Sequence, residues 1–312
     1  MDIWKSLLVP AFSLAIVPSA LSQAVPPWSH GENNPATSKG YAFQVEDVDN
    51  VPDLHGNPEG AGLVLFIGGN QFFVLPKLIA GFEKLHPELQ GIIFYETLPP
   101  GILQRQMANN NTITLGNFTL HVQPDVYEAG ASVLEGMERN KLVEKAVSYA
   151  TNDLAIMVGA SNPKHIRSLK DLGRPDVRLA MPNPDWEGVA IQIGDSLRKA
   201  GSDALFRAVY ETKVRDRSTY VTQIHHRQTP MRILRGDSDA GVTWASEVRF
   251  QQMIGNPIAG VEIPRDQNFT GTYAAGVLHD APHAGAARAW VAYLTTPEAQ
   301  AIYKEYGFGP FK

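Results

Sequence analysis

The sequence predicts an α/β fold divided into more than one domain. The chain has 312 residues, and roughly 150 residues per domain suggests two domains. Its hydrophobic fraction of 44% is sufficient for ordinary buried cores. Predicted strands and helices alternate along most of the chain, which is the pattern of α/β domains with largely parallel sheets.

The first 24 residues have the pattern of a secretory signal peptide. One Lys near the start precedes an apolar run over 7–21, and Ser22-Gln-Ala24 is a small-residue cleavage signature. A short membrane anchor is the other interpretation, but Pro10 and Pro18 interrupt the segment, and it is shorter than the ~20 apolar residues of a membrane span. We therefore expect an exported protein, most naturally a periplasmic one.

Composition excludes several classes of site. The chain has no Cys, which excludes disulfides, thiolate metal sites and a lipid-modified cysteine at the cleavage point. Its formal charge of −5 argues against nucleic acid as a partner, because such binding needs clustered Lys and Arg. We find no cofactor motif and expect no cofactor.

Residues 25–61 are rich in Pro, Asn, Gly and Asp without a sustained period, and they predict an extended surface arm. The ordered core begins with the strand LVLFI at 63–67, which ends at Gly68 and Gly69. An amphipathic helix follows and stops before Pro87. The next units are a strand at 91–96, a helix at 101–109, a hairpin at 112–122, a strand at 124–130 and a helix at 132–142.

The alternation continues beyond a strand that begins near residue 148. Strands are predicted at 177–184, 219–225 and 240–246, helices at 187–201, 203–212 and 227–237, and the last part supplies one strand and two helices.

Six stretches carry a family resemblance: IAGFEKLHPE, QPDVYEAG, VSYATNDLAIMV, IRSLKDLGRPDVRLAMPNP, GDSDAGVTWASE and APHAGAARAWVAYLTTPEAQAIYKEYGF. Over about 63–308 the chain resembles the periplasmic substrate-binding proteins of ABC importers, in the type 2 group that contains the molybdate-binding and related oxyanion-binding proteins. The resemblance implies two α/β lobes, each a mainly parallel sheet flanked by helices, with the ligand cleft between them. Lobe one would comprise 62–150 and 264–312, and lobe two 151–263, with hinge crossings near 149–153 and 261–264.

The glycine junction after the first core strand is the first candidate contact. A helix start offers unpaired N–H groups and a partial positive charge, so it can bind an anion without Lys or Arg. Gly69, Asn70 and Gln71 lie where, by the resemblance, molybdate-binding proteins place a small hydroxyl residue and backbone amides. That hydroxyl is absent here, so Asn70 and Gln71 would supply side-chain donors.

Further candidates come from lobe one and from the first contact segment of lobe two. In YETLPPG, Thr97 could replace a second hydroxyl and Gly101 begins the next helix, although Pro-Pro-Gly could also be only a rigid turn. Tyr127 follows in the next strand. In NPDWEG, Asp185 is a predicted N-cap, Glu187 suits a helix start, and Trp186 could form a wall over the ligand or pack elsewhere.

The remaining candidates lie later in lobe two. Trp244 occupies the position where molybdate-binding proteins have a tyrosine hydroxyl, and its indole N–H can only donate. His225, His226 and Arg227 fall at a predicted strand end. Adjacent residues of a strand point to opposite faces, so one His would enter the site with Arg227, or the pair would lie on the surface.

The expected function is capture of a small oxyanion of the molybdate, tungstate or sulfate type by a monomer that delivers it to a membrane permease. A ferric-iron receptor of the same fold is an alternative, using Tyr95, Glu96, Tyr127, Glu128, Glu187, His225 and His226. A ligand-binding accessory protein of a sensor kinase is another. An enzyme is disfavoured, because no nucleophile elbow, zinc motif or P-loop is present.

Overall fold

The computed structural model describes residues 53–115, 118–223 and 225–311. The predicted signal peptide and residues 25–52 of the predicted arm lie outside the described residues. The rest of the arm is not a surface segment as predicted, because Leu54–His55 pairs with the sheet and Leu54 and Ala61 are buried. Within those ranges, no helix combines the length and the apolar character needed to cross a membrane.

The strands are β1 (Leu54–His55), β2 (Leu63–Ile67), β3 (Ile93–Glu96), β4 (Thr112–Leu115), β5 (Phe118–His121), β6 (Val126–Gly130), β7 (Val147–Gly159), β8 (Leu179–Met181), β9 (Thr219–Val221), β10 (Ala240–Trp244), β11 (Ile258–Glu262) and β12 (Thr270–Val277). The helices are α1 (Leu75–Leu85), α2 (Pro100–Ala108), α3 (Ala131–Arg139), α4 (Val189–Arg207), α5 (Lys213–Arg215), α6 (Gln228–Leu234), α7 (Ala245–Met253), α8 (Ala284–Tyr293) and α9 (Pro297–Glu305). Short 3₁₀ segments cover Gly69–Gln71, Pro87–Leu89 and Leu169–Gly173, and a π-helical turn covers Ala208–Thr212.

One long strand, β7, connects two groups of strands. Its first part pairs with β12, and the order continues outward as β6, β2, β3 and β1. Its second part pairs with β10 and β11, and β8 and β9 follow β10. We refer to the first group and its helices as lobe one and to the second as lobe two.

The sheets are mixed in direction. Strands β3, β2 and β6 are parallel to one another, as are β10, β8 and β9. Strands β7, β11 and β12 pair antiparallel with their neighbours, because the chain crosses between the lobes along them. The predicted α/β, two-lobed fold class is confirmed, with antiparallel pairing added at the crossing.

Lobe one has a core on each face of its sheet. Leu63, Leu65 and Ile67 of β2 pack with α1, α8 and α9, while Val64 and Phe66 face the core near α2 and α3. This alternation follows from the two-residue period of a strand. Both faces are covered, so β2 is a continuous apolar run, as expected for a buried parallel strand.

Helix boundaries follow local signals. In α1 the buried residues Leu75, Leu78 and Phe82 share one face, and the helix ends at Leu85, two residues before Pro87. In α9 the Thr296 side chain accepts a hydrogen bond from the Ala299 N–H and caps the helix. The long α4 is broken at Gly201–Ser202, where two separate helices were predicted.

Candidate functional site

A cavity of about 320 Å³ lies between the lobes, where strand ends and helix starts from both meet. Its lining is glycine-rich and apolar, with a few polar side chains. Lobe one contributes Gly68, Gly69, Asn70, Pro99, Pro100, Ala129, Gly130, Ala131, Ser132, Val133, Phe269, Thr270, Gly271, Thr272 and Tyr273; lobe two contributes Glu187, Gly188, Val189, Gln192, His225, His226 and Trp244.

The glycine junction after β2 forms one edge of this cavity. A Cβ atom added at Gly69 would lie 2.7 Å from the Thr97 carbonyl oxygen and 2.8 Å from His225 Cε1, so only glycine fits. The neighbouring Asn70 is buried, and its Nδ2 donates to the Tyr273 hydroxyl at 2.5 Å. The hydrogen bond fixes the Asn70 side chain beside the cavity.

Two helices begin at the cavity without a side-chain cap. The N-cap of α3 is Gly130 and that of α4 is Gly188, and both residues line the cavity with the first residues of their helices. The predicted cap, Asp185, lies three residues before the N-cap of α4, because residues 183–187 form a turn closed by the Glu187 N–H to the Asn183 carbonyl at 2.9 Å. Both helix starts place partial positive charge at the cavity.

His226 is held between two carboxylates. Its Nδ1 makes a short contact to Glu187 Oε2, and its Nε2 lies 2.9 Å from Glu247 Oε2. Burial lowers the pKa of His226, but Glu247 and Glu187 outweigh burial and raise it to about 10. With a carboxylate at each ring nitrogen, His226 is an imidazolium that donates from both.

Glu187 is satisfied within lobe two. Its Oε1 accepts from the Thr222 hydroxyl at 2.5 Å and from the Asn183 backbone N–H at 2.9 Å. Its Oε2 accepts from the His226 backbone N–H at 2.8 Å. Burial alone would raise the pKa of Glu187, but His226 and these hydrogen bonds lower it. The carboxylate therefore serves to position Thr222 and His226.

The two adjacent histidines both line the cavity. The sequence-based prediction placed them at a strand end, facing opposite ways, but β9 ends at Val221 and His225 begins a turn. Within a turn the alternation of a strand does not apply. His225 Nε2 lies 2.9 Å from Asp53 Oδ1 in lobe one.

Arg227 joins the lobes behind the histidines. Its Nη1 donates to Asp53 Oδ1 at 2.9 Å, and its Nη2 donates to the carbonyl oxygens of Gly69 at 2.6 Å and Thr97 at 2.8 Å. Its guanidinium carbon lies 4.2 Å from the centre of the Phe72 ring. Arg227 is outside the cavity lining and acts as a buried connection between the lobes.

Trp244 forms one wall. The indole lies against β12, where a Cβ added at Gly271 would lie 2.6 Å from Trp244 Cη2, and its ring centre is 5.9 Å from that of Tyr273. Glycine at position 271 therefore allows the indole to approach the strand closely. Trp244 is 7% exposed, as expected for a wall residue.

Five more predicted residues lie outside the cavity lining. Gln71 faces the core of lobe one, where its Nε2 donates to Tyr149 at 2.8 Å and its Oε1 accepts from Tyr303 at 3.1 Å. Thr97 is buried behind the cavity, and its N–H donates to the Asp53 carbonyl at 2.9 Å.

Gly101 and Trp186 contact each other at the rim. The Gly101 N–H donates to the Trp186 carbonyl at 3.2 Å, which brings α2 of lobe one against the α4 turn of lobe two. The Tyr127 hydroxyl donates to the Pro100 carbonyl at 3.2 Å and so supports the start of α2 from below. Trp186, Gly101 and Tyr127 thus shape the rim without lining the cavity.

Sequence reasoning missed several lining residues, among them Gly130, Ser132, Val133 and Tyr273. The sequence does contain a signal for Gly130, Ser132 and Val133, because the strand PDVYEAG ends in a glycine followed by a helix, as LVLFIGG does. Tyr273 and Gly271 carry no local signal, since they are ordinary residues of a predicted strand.

The residues considered for a ferric-iron site do not form one cluster. Glu96 accepts a hydrogen bond from Gln106 Nε2 at 3.0 Å, and Glu128 accepts one from Trp290 Nε1 at 2.7 Å, both in the interior of lobe one. Within the residues that the structure describes, no group of three or more His, Asp or Glu is arranged to hold a metal ion.

The model of the family described as bacterial extracellular solute-binding protein matches residues 63–309, most of the chain. The chain belongs to this solute-binding family. Molybdate-binding protein ModA of Mycobacterium bovis is 26% identical over 161 residues, which are 52% of this chain and 55% of that relative. The solute-binding chain thus spans about half the length of this curated relative.

Solved structures share the fold. The sulfate-binding protein SubI of Mycobacterium tuberculosis superposes with a TM-score of 0.65 at 17% identity, over 80% of this chain and 86% of that one. The periplasmic molybdate-binding protein of Azotobacter vinelandii gives 0.63 at 15% identity, over 80% of this chain and 100% of that one. These likenesses confirm the resemblance inferred from the sequence and the two-lobed fold.

Proposed function

We propose that this protein captures a small oxyanion between its two lobes and delivers it to the membrane permease of an ABC importer. The observation that carries this proposal is the interlobe cavity, which two uncapped helix starts and the donors Asn70 and Trp244 surround. Helix N-termini bind anions through backbone N–H groups and their partial positive charge. A relative and two structural neighbours are named for molybdate or sulfate binding, which supports an oxyanion as ligand.

The proposal includes the location and organisation of the chain. Residues 1–24 would direct export to the periplasm, and residues 62–150 with 264–312 would form lobe one around the inserted lobe two, 151–263. The protein would act as a monomeric binding protein and not as an enzyme. In the alternative role, as an accessory protein of a sensor kinase, the protein would capture its ligand in the same way and present the closed form to the kinase.

Calorimetric titration of the purified protein with molybdate, tungstate, sulfate, thiosulfate, phosphate and simple organic oxyanions tests the proposal. We expect heat with at least one anion, and a change in the small-angle scattering profile, since ligand contacts from both lobes favour closure. Asn70→Ala and Trp244→Phe should weaken that binding, while Trp186→Phe, outside the lining, should not. Absence of binding by every anion in the panel would overturn the proposal.

A further inference from the structure

The size of the cavity bears on the class of ligand. Its volume of about 320 Å³ far exceeds the roughly 15 Å³ that one buried water needs. It falls at the lower end of the roughly 300–1,000 Å³ typical of pockets for organic ligands. An inorganic tetrahedral oxyanion would leave most of this space to water.

Much of the lining is apolar. Val133 of α3 and Val189 of α4 enter it from opposite lobes, and Phe269 and the Trp244 indole add aromatic surface. Such a lining stabilises a ligand through removal of apolar surface from water, which a compact inorganic anion does not offer. The distribution of side chains therefore matches a ligand with both an acidic group and a carbon skeleton.

The fixed charges around the cavity nearly cancel when Asp53 is ionised, which disfavours a ligand with two negative charges. His226 lies between Glu187 and Glu247, so this group sums to −1, and Arg227 is offset by Asp53. The starts of α3 and α4 each add about +0.5. The sum is close to zero, so a dianion would meet little opposite charge.

Gln192 supplies an independent polar feature. It lines the cavity, and its side-chain oxygen is buried with no hydrogen-bond partner among the described residues. A buried acceptor without a donor is costly. Sulfate or molybdate has no O–H or N–H and would leave this acceptor to water, whereas a hydroxylated organic acid can donate to it directly.

We propose that the ligand of this cavity is a small organic oxyanion with one negative charge, its acidic group at the helix starts and its carbon skeleton against Val133, Val189, Phe269 and Trp244. This inference rests on the proposed capture function and narrows its ligand class. It is independent of whether the acidic group is a sulfonate, a carboxylate or a phosphate diester.

Calorimetry with a homologous series tests the inference: sulfate, methanesulfonate, ethanesulfonate, propanesulfonate and 2-hydroxyethanesulfonate, with the corresponding carboxylates and methyl-capped phosphates. Each added methylene should tighten binding about fourfold until the cavity is full. Binding of sulfate or molybdate with progressive weakening as carbons are added would overturn the inference and leave the capture function intact. Absence of binding by all of these anions would overturn both.

Matched variants locate the carbon skeleton. Val133→Ser, at a half-buried position of the lining, should reduce the gain in affinity per methylene. Ile191→Ser, at a 63% exposed position of α4 outside the lining, should leave the gain in affinity per methylene unchanged. Circular dichroism melting establishes that both variants are folded. An unchanged gain in folded Val133→Ser would contradict the proposed placement.

Discussion

Arg227 and Asp53 form a buried ion pair across the two lobes, with Nη1 of the guanidinium 2.9 Å from Oδ1 of the carboxylate. Asp53 immediately precedes the first strand of lobe one, whereas Arg227 lies in a turn of lobe two. The other terminal nitrogen, Nη2, donates to the carbonyls of Gly69 and Thr97. One side chain thus connects the segment that leads into β1 to the edge of the cavity.

Arg227→Ala should lower the free energy of unfolding by about 3–5 kcal/mol at pH 8, because it leaves the buried Asp53 carboxylate without its partner. Urea unfolding monitored by circular dichroism measures this change. Arg265→Ala, at an exposed position, should stay within about 0.5 kcal/mol of the parent protein. Similar losses in the two variants would show that Arg227 is not a stabilising connection.

Ligand affinity should rise as pH falls from 8 to 5. Burial raises the pKa of Asp53 to about 7, against the effect of Arg227 and Thr97. Separation of the lobes would expose Asp53 and return its pKa toward 3.8, so closure takes up a proton and is favoured below pH 7. Calorimetry at four pH values measures the trend.

Asp53→Asn should flatten that pH dependence. Asp53 faces Arg227, His225 and Glu96. Because burial raises the pKa of Glu96 to about 8, Glu96 is a second group whose titration falls in this pH range. Glu96→Gln is therefore the companion variant that separates the effect of Glu96 from that of Asp53. An unchanged slope in Asp53→Asn would assign the pH effect to another group.

Deprotonation of His226 should make the protein less stable as pH rises from 7 to 10. Its pKa in the folded state, about 10, lies above its ordinary 6.5, so its stabilisation is complete below pH 6.5 and is lost through pH 10. Melting temperatures across this range should fall more steeply for the parent protein than for His226→Gln. His121→Gln, at an exposed position, should reproduce the parent slope.

Gly271→Ala should weaken ligand binding and lower the free energy of unfolding by about 1–3 kcal/mol. The added Cβ would lie 2.6 Å from Trp244 Cη2, so the indole must move from its place in the cavity wall. Gly285→Ala, in α8 with open space around its Cα, should leave binding unchanged. Equal affinity in the two variants, measured by calorimetry, would argue against Trp244 as a wall of the site.

The alternation of strands and helices predicted the fold because each unit buries its own apolar pattern. The strand LVLFI at 63–67 and the break at Gly201 in α4 are read directly from local sequence. The mixed direction of the sheets could not be read this way, since it depends on how β7 and β12 pair over a distance of more than 100 residues.

The candidate site was partly predictable for the same reason. Glycine between a strand and a helix indicated Gly69 and Asn70, and the structure places both at the cavity. Gln71, next to them, faces the core because its amide pairs with two tyrosines from distant segments, Tyr149 and Tyr303. The ion pairs of His226 and Arg227 also join distant segments, and a single sequence contains no signal for such pairings.

The pairing of β7 with β11 has a practical consequence for protein engineering. Ala155 and Glu262 are partners in that ladder, so the chain enters and leaves lobe two at neighbouring points. With the proposed bounds 151–263, lobe two would be one continuous insert with adjacent ends. Exchange of this insert with that of a relative would need only two splice points and would yield chimeric proteins in which each parent supplies one side of the cavity lining.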